Sequence, residues 1–186
     1  MTALVYPPLH ENMTASGHRQ ASVRWARRAL RPGAAVIIGL GTTAPGSGSL
    51  IEIAVIEADR TIRLNTMVNP RTPINPVTRR HPHLTEDMFS GAPAFGQILT
   101  ALITITDGRG IAAYNSGSAF ATVIGESHRA GLDPEHLEDP AAWRSIAQAR
   151  SYWLGHPDHY LPLPPTPRAL DQCHAALSVL RDIAAD

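Results

Sequence analysis

The sequence predicts a three-layer α/β fold, with a mixed central sheet and helices on its faces. Residues 34–38 form an uninterrupted apolar run after Pro32 and Gly33, which is typical of a buried central strand. Two β-rich runs, Leu50 to Glu57 and Thr61 to Val68, follow with a short gap between them and predict a hairpin beside that strand. The helical and strand patterns after residue 80 complete the order β-β-β-α-β-α-α, which predicts a sheet packed against helices.

The remaining elements follow from periodicity and from proline. A basic helix is predicted from Arg19 to Leu30, where arginines alternate with apolar residues. The later predicted elements are a short helix at Thr85 to Met88, a helix at Ala94 to Ile105, a strand at Gly110 to Asn115, and helices at Ser118 to Ala130, Pro140 to Leu154 and Arg168 to Ala185. Proline-rich loops are predicted at residues 69–76 and 156–167. We assign residues 1–33 to an N-terminal arm with the basic helix, and residues 34–186 to one folded domain.

The amino-acid composition limits the binding partners and the cellular compartment that we expect. The 186 residues suit one domain, and the 16 basic and 16 acidic side chains cancel, so no net positive field favours a nucleic-acid backbone. All of the basic residues are arginine, which makes bidentate contacts to carboxylate or phosphate. The single cysteine, Cys173, excludes an intramolecular disulfide, and no apolar run has the length of a membrane span. We expect a cytoplasmic protein without a membrane partner.

Ordered motifs from Val36 to about Ile183 resemble a known enzyme family. The motifs are Val36 to Thr43, then Ile51-Glu52-Ile53-Ala54-Val55, Val68-Asn69-Pro70 with Pro73-Ile74, Leu84 to Met88, Tyr114-Asn115, Leu161-Pro162-Leu163, and Arg168-Ala169-Leu170 with Cys173. In this order they resemble the DnaQ-like 3′→5′ exonucleases of the DEDDh type. The resemblance implies an RNase H-like exonuclease fold for residues 34–186.

The same resemblance implies that the catalytic positions are replaced. In active members of the family, four carboxylates hold two divalent metal ions and a histidine deprotonates the attacking water. Gly39 and Gly41 stand at the first two carboxylate positions and Ala119 (or Ala121) at the third. Pro167 stands at the histidine position and Gln172 at the last carboxylate position. Because glycine and alanine offer no side-chain ligand to Mg²⁺ or Mn²⁺, we expect no catalytic residue, no metal and no cofactor of the family's kind.

The resemblance then predicts a roomy cleft at the place of the metal site. Its predicted lining is Thr42, Thr43, Tyr114, Asn115, Ser118, Arg168 and Gln172. The leading interpretation is a catalytically inactive or repurposed protein that binds nucleic acid, a nucleotide or a protein partner. One alternative is a metal-free enzyme whose polar groups orient a small-molecule substrate. Another is an active exonuclease with a metal site relocated to Asp171 and residues 156–159.

Several other patterns in the sequence have simpler explanations than a functional site. His156-Pro157-Asp158-His159 brings together donors that suit a transition metal, but it has no second ligand cluster. The glycine-rich run from residue 39 to residue 48 follows a strand but lacks the lysine of a phosphate-binding loop. His81 and His83 flank Pro82, which stands where the family has a histidine, and a solvent-facing pair explains them. The arginines of the basic helix could contact phosphate or an acidic partner, or form a solvated face.

Overall fold

The molecule is a mixed five-stranded sheet between two layers of helices, which confirms the predicted α/β fold. The computed structural model describes residues 14–43, 48–71 and 86–186. The strands lie in the order β3-β2-β1-β4-β5; β1 and β2 pair antiparallel, as do β2 and β3, while β4 pairs parallel with both β1 and β5. Their bounds are β1 Ala35–Thr42, β2 Leu50–Ile56, β3 Ile62–Met67, β4 Gly110–Ala113 and β5 Trp143–Ser145.

Helices cover both faces of this sheet. They are α1 Ala15–Ala29, α2 Glu86–Ser90, α3 Phe95–Thr106, α4 Ser116–Ala130, α5 Ile146–Trp153 and α6 Ala169–Ala185. On one face, Ile37 and Ile56 pack with apolar residues of α1, α5 and α6, including Leu177. On the other face, Val36 and Ile38 pack with α3 and α4. The central strands are therefore buried on both sides, as their continuous apolar sequence predicts.

The basic helix, α1, packs against α5 and α6 on one face of the sheet. Helix α1 begins at Ala15, because the Thr14 side chain accepts a hydrogen bond from the Gly17 amide and caps the first turn. Trp25 and Ala26 lie in the same apolar core as α5 and α6. Its outer face is anchored by Arg19, whose guanidinium donates to both carboxylate oxygens of Asp186 at 2.9 and 2.8 Å. The arginine pattern therefore marks the solvent side of a packed helix.

The predicted helix from Pro140 to Leu154 is wrong in its first half. A 3₁₀ turn at Pro140–Ala142 leads into β5, and α5 begins only at Ile146. Trp143 is buried, pairs with Ile111 of β4, and donates from its indole nitrogen to the Leu137 carbonyl at 2.9 Å. Parallel pairing with a distant strand determines this segment, and the local sequence contains no trace of that pairing.

Some predictions fall on residues outside the described part of the chain. These are the loop at residues 72–76, the start of the short helix at Thr85, and the histidines at positions 81 and 83. Among the described helices, none is both long and apolar enough to cross a bilayer.

Candidate functional site

A cavity of about 350 Å³ lies where β1 and β4 end and α4 begins. Parallel strands expose their carboxyl ends at the same edge of a sheet, which is the usual place for ligands in α/β folds. Ile38 of β1 and Ala113 of β4, which are partners in the sheet register, both line it. The opposite wall comes from residues 160–166, the proline-rich stretch before α6.

The structure brings together most of the residues predicted for the cleft. Those that line the cavity are Gly39, Thr42, Tyr114, Asn115, Ser118, Ala119 and Gln172. Gly41, Thr43, Pro167 and Arg168 are not among the lining residues. The Thr43 hydroxyl is buried and accepts from the Ser49 amide at 2.9 Å, while Arg168 is directed at Glu52. These hydrogen bonds hold the Thr43 and Arg168 side chains away from the cavity.

Gly39 lies where β1 and the start of α6 pack closely against each other. A Cβ atom at this position would lie 2.3 Å from the carbonyl oxygen of Ala169 and 3.0 Å from Cys173 Sγ. Real packed atoms do not come that close, so this backbone arrangement accepts only glycine. The position that the family resemblance assigns to the first carboxylate therefore has no room for any side chain.

Gly41 lies beside the buried carboxylate of Glu52, which forms hydrogen bonds with the start of α6. It is the cross-strand partner of Glu52, whose carboxylate oxygens accept from Arg168 Nε at 2.7 Å and from the Ala169 amide at 3.0 Å. The Glu52 side chain is only 4% exposed. Because Arg168 provides no side-chain cap for α6, Glu52 satisfies one of the helix's unpaired amides from the neighbouring strand. This carboxylate therefore anchors α6 and does not face the cavity.

The polar groups of the cavity are hydroxyls and amides. Asn115 caps α4, with its side-chain oxygen accepting from the Ser118 amide at 3.2 Å, so its amide nitrogen remains a donor. The Gln172 side chain lines the cavity, and the hydrogen bonds that the described structure gives this residue are those of its backbone. No described lining residue carries a charged side chain. The described lining can donate and accept hydrogen bonds, but it offers no charged side chain to a ligand.

Hydrogen bonds from two other elements hold the start of the proline-rich stretch, residues 159–161, against the cavity. The Tyr114 hydroxyl donates to the Leu161 carbonyl and accepts from Arg150 Nη1 at 3.0 Å, and the Ser151 hydroxyl donates to the His159 carbonyl. Tyr160 stands at the mouth, 59% exposed, with its ring edge-on to Tyr114 at 6.2 Å. Partial burial, with a smaller effect from Tyr114, raises the pKa of Tyr160, so its hydroxyl is neutral at physiological pH.

Sequence reasoning did not anticipate the proline-rich wall or Tyr160 and Thr122, which also line the cavity. The prolines predict a loop at residues 156–167, but the position of that loop depends on the Tyr114 hydroxyl, which follows β4. Thr122 lies one helical turn after Ser118, which is among the predicted lining residues. Residues four apart on a helix share a face, so this spacing could have identified Thr122 from the sequence.

The described residues do not fit a two-metal centre. They contain no group of three or more His, Cys, Asp or Glu side chains placed to hold a metal ion. Asp171, the neighbour of Gln172, does not line the cavity, as expected from the turn of about 100° between successive helical residues. His156 and His159 lie in an exposed loop with ring centroids 6.0 Å apart. Hydroxyls and neutral amides are poor ligands for Mg²⁺, which prefers charged oxygen.

We expect Cys173 to be inert in the folded protein. Burial raises the pKa of its thiol to about 12, and Sγ lies 3.4 Å from the Ala54 carbonyl oxygen. Since the thiolate is the reactive form, a thiol reagent such as DTNB at pH 8 should label the native protein only as fast as the protein unfolds. Full labelling in native buffer, at the rate seen in denaturant, would contradict this placement.

Comparison with known proteins identifies the fold. A scan against protein-family models found no match, and neither did a search of curated proteins. Among solved structures, exonuclease X in complex with 5′ overhanging duplex DNA is similar with TM-score 0.57 and 22% identity, over 81% of this chain and 91% of that one. The nuclease domain of 3′hExo, a DEDDh family member bound to rAMP, is similar with TM-score 0.56 and 14% identity, over 81% and 92%.

A third similar structure is larger than this protein. E. coli exonuclease I in complex with a dA16 oligonucleotide has TM-score 0.61 and 10% identity, over 81% of this chain and 42% of that one. The chain thus spans about two fifths of the exonuclease I molecules that it resembles. These likenesses show that the protein has a DnaQ-like exonuclease fold, with members of the DEDDh family among its structural neighbours.

Proposed function

We propose that this protein binds nucleic acid or a nucleotide in the cavity between β1, β4 and α4, and does not hydrolyse it by the two-metal route. The observation that carries the absence of hydrolysis is the close approach of the Ala169 carbonyl to Gly39, which leaves no room for a carboxylate at this position of β1. The uncharged lining of the cavity supports it as well, because two-metal hydrolysis needs several anionic ligands.

The structural neighbours suggest the ligand class. Exonuclease X is described with duplex DNA, exonuclease I with a dA16 oligonucleotide, and the 3′hExo domain with rAMP. A fold that keeps its cleft while changing the residues in it can keep the ligand and lose the chemistry. The loss of activity and the retained binding are both parts of this proposal.

A metal-free enzyme for a small molecule is the second candidate. The observation in its favour is the wall formed by residues 160–166, which bounds one side of the cavity. Against it, the described lining contains no His, Asp, Glu or Cys side chain that could move a proton at neutral pH. Binding without chemistry is therefore the better supported function. An exonuclease with a metal site relocated to Asp171 is less favoured, since Asp171 lies outside the cavity.

We expect no metal-dependent digestion of nucleic acid. The test is titration calorimetry of Mg²⁺ and Mn²⁺ into the purified protein, paired with a gel assay on labelled single-stranded DNA and RNA. Neither metal should bind, and substrate should stay intact with or without EDTA. The double variant Asn115→Ala, Gln172→Ala is the control, because it removes two side-chain amides from the cavity. Digestion that needs Mn²⁺ and disappears in that variant would overturn the proposal.

A further inference from the structure

We propose that the cavity recognises the nucleoside part of its ligand, with the base stacked on Tyr160 and any phosphate left in solvent. This inference rests on the proposed function and names the portion of a nucleotide that the site contacts. It follows from three properties of the described lining: one exposed aromatic ring at the mouth, hydrogen-bonding amides and hydroxyls inside, and no charged side chain.

Tyr160 has the properties of a stacking surface. Its ring is the most exposed of the large apolar side chains in the described part of the chain, at 59%. It is nevertheless held in place, since it packs edge-on against Tyr114, which is itself fixed by Leu161 and Arg150. Pro162, together with two further prolines that line the cavity, stiffens the backbone after it. A preordered ring loses little conformational entropy when a flat ligand stacks on it.

The interior of the cavity suits uncharged polar edges. The Asn115 amide nitrogen and both groups of the Gln172 amide are available, and the Ser118 hydroxyl lies one turn into α4. Side-chain amides pair with the donor and acceptor groups of a base edge, and hydroxyls pair with those of a sugar. These groups match a nucleoside without requiring any change of charge in the site.

Phosphate, in contrast, finds no charged side chain among the described residues that line the cavity. Proteins bind phosphate mainly with arginine, lysine or several backbone amides. Among the described arginines, Arg150 donates to the Tyr114 hydroxyl and Arg168 donates to Glu52, and neither lines the cavity. An added phosphate should therefore contribute little affinity.

The experiment compares three kinds of probe on the full chain by titration calorimetry: the nucleosides adenosine and uridine, their 5′-monophosphates, and a short dT oligonucleotide. We expect a nucleoside to bind at least as tightly as its monophosphate, and with an affinity that changes little between about 50 mM and about 200 mM salt. A monophosphate that binds tenfold or more tightly than its nucleoside, with steep salt dependence, would overturn the inference.

Substitutions at the mouth test the stacking itself. Tyr160→Ala should weaken nucleoside binding by about tenfold, while Tyr160→Phe keeps the ring and should keep the affinity. Ile62→Ala is the matched control, since Ile62 is also a large exposed apolar residue, at 51%, but lies on β3 away from the cavity. Circular dichroism and melting confirm that each variant is folded. Equal nucleoside affinity in Tyr160→Ala and the parent protein would overturn the role of Tyr160.

The outcomes separate this inference from the proposed function. If the oligonucleotide or the monophosphates bind and the nucleosides do not, the inference fails and the binding function stands. If no probe binds at millimolar concentration, both fail. If a nucleoside binds in the cavity but the protein also digests DNA with Mn²⁺, the proposed inactivity fails and the recognition of the nucleoside stands.

Discussion

Replacing Gly39 with alanine is expected to destabilise the protein by about 2 to 3 kcal/mol, because the added methyl collides with backbone that cannot rotate away. The Ala169 carbonyl oxygen would lie 2.3 Å from the new Cβ. Only a shift of the whole start of α6 relieves the collision, and that start is pinned by Glu52. For a chain of this size we expect the melting temperature to fall by about 4 to 12 °C.

Gly39→Asp is the more informative variant, since it returns a carboxylate to the position where the resemblance has one. It should be less stable than Gly39→Ala, because a charged group is added to the same collision in a buried place. We expect it to bind neither Mg²⁺ nor Mn²⁺ in a calorimetric titration. Metal binding by this single variant would show that α6 can move aside and that the site needs only one carboxylate.

Gly125→Ala is the control for glycine replacement as such. Gly125 lies within α4, and a Cβ there would meet its nearest neighbour, Arg129, at an ordinary 3.7 Å. Alanine is the better helix former by about 1 kcal/mol, so this variant should melt at or above the parent temperature. Equal melting temperatures for the Gly39→Ala and Gly125→Ala proteins would contradict the close packing of α6 on β1. Thermal unfolding followed by circular dichroism gives all three values.

Sequence reasoning predicts the fold well where each element has its own periodic signal. The apolar run at residues 34–38 and the hairpin after it are β1, β2 and β3, and the long helices are found within a few residues of their predicted ends. The exception is β5, whose three residues lie within a stretch that a helical pattern also fits. A strand of that length is determined by its pairing with β4, which is a long-range contact.

The candidate site was predictable only in part, for the same reason. Residues placed by strand ends and helix starts, such as Asn115 and Gln172, line the cavity as expected from their element. Thr43 and Arg168 do not, since each forms a hydrogen bond that depends on a neighbouring segment. The absence of a side chain at Gly39 is visible in the sequence. That the backbone of α6 fills the space is visible only in three dimensions.

Removing the Glu52 carboxylate is the second large effect that we expect. Glu52→Ala leaves the Ala169 amide and the Arg168 guanidinium without their acceptor, and it should cost about 2 to 3 kcal/mol. The figure is below that of a fully buried ion pair because the Arg168 side chain is 38% exposed and water can solvate it. Glu52→Gln keeps a neutral acceptor and should cost less. Urea unfolding measures all of these values.

Glu57→Ala is the matched control, because Glu57 directly follows β2 and its carboxylate also pairs with an arginine. Glu57 pairs with Arg109 at 2.8 Å, but its side chain is 21% exposed, compared with 4% for Glu52. We expect it to cost about 1 kcal/mol or less, as for other solvent-accessible ion pairs. Equal losses in Glu52→Ala and Glu57→Ala would mean that burial and the bond to α6 add nothing to the role of Glu52.

The two large effects should be coupled, because both act through the first turn of α6. Once Glu52 no longer pins the Ala169 amide, the helix start can move away from β1 and make room for a side chain at Gly39. The double variant Gly39→Ala, Glu52→Ala should therefore lose less stability than the sum of the single variants, by about 1 kcal/mol in a double-mutant cycle. If the stability losses of the two single variants simply add, the anchoring of α6 by Glu52 is not what prevents a side chain at Gly39.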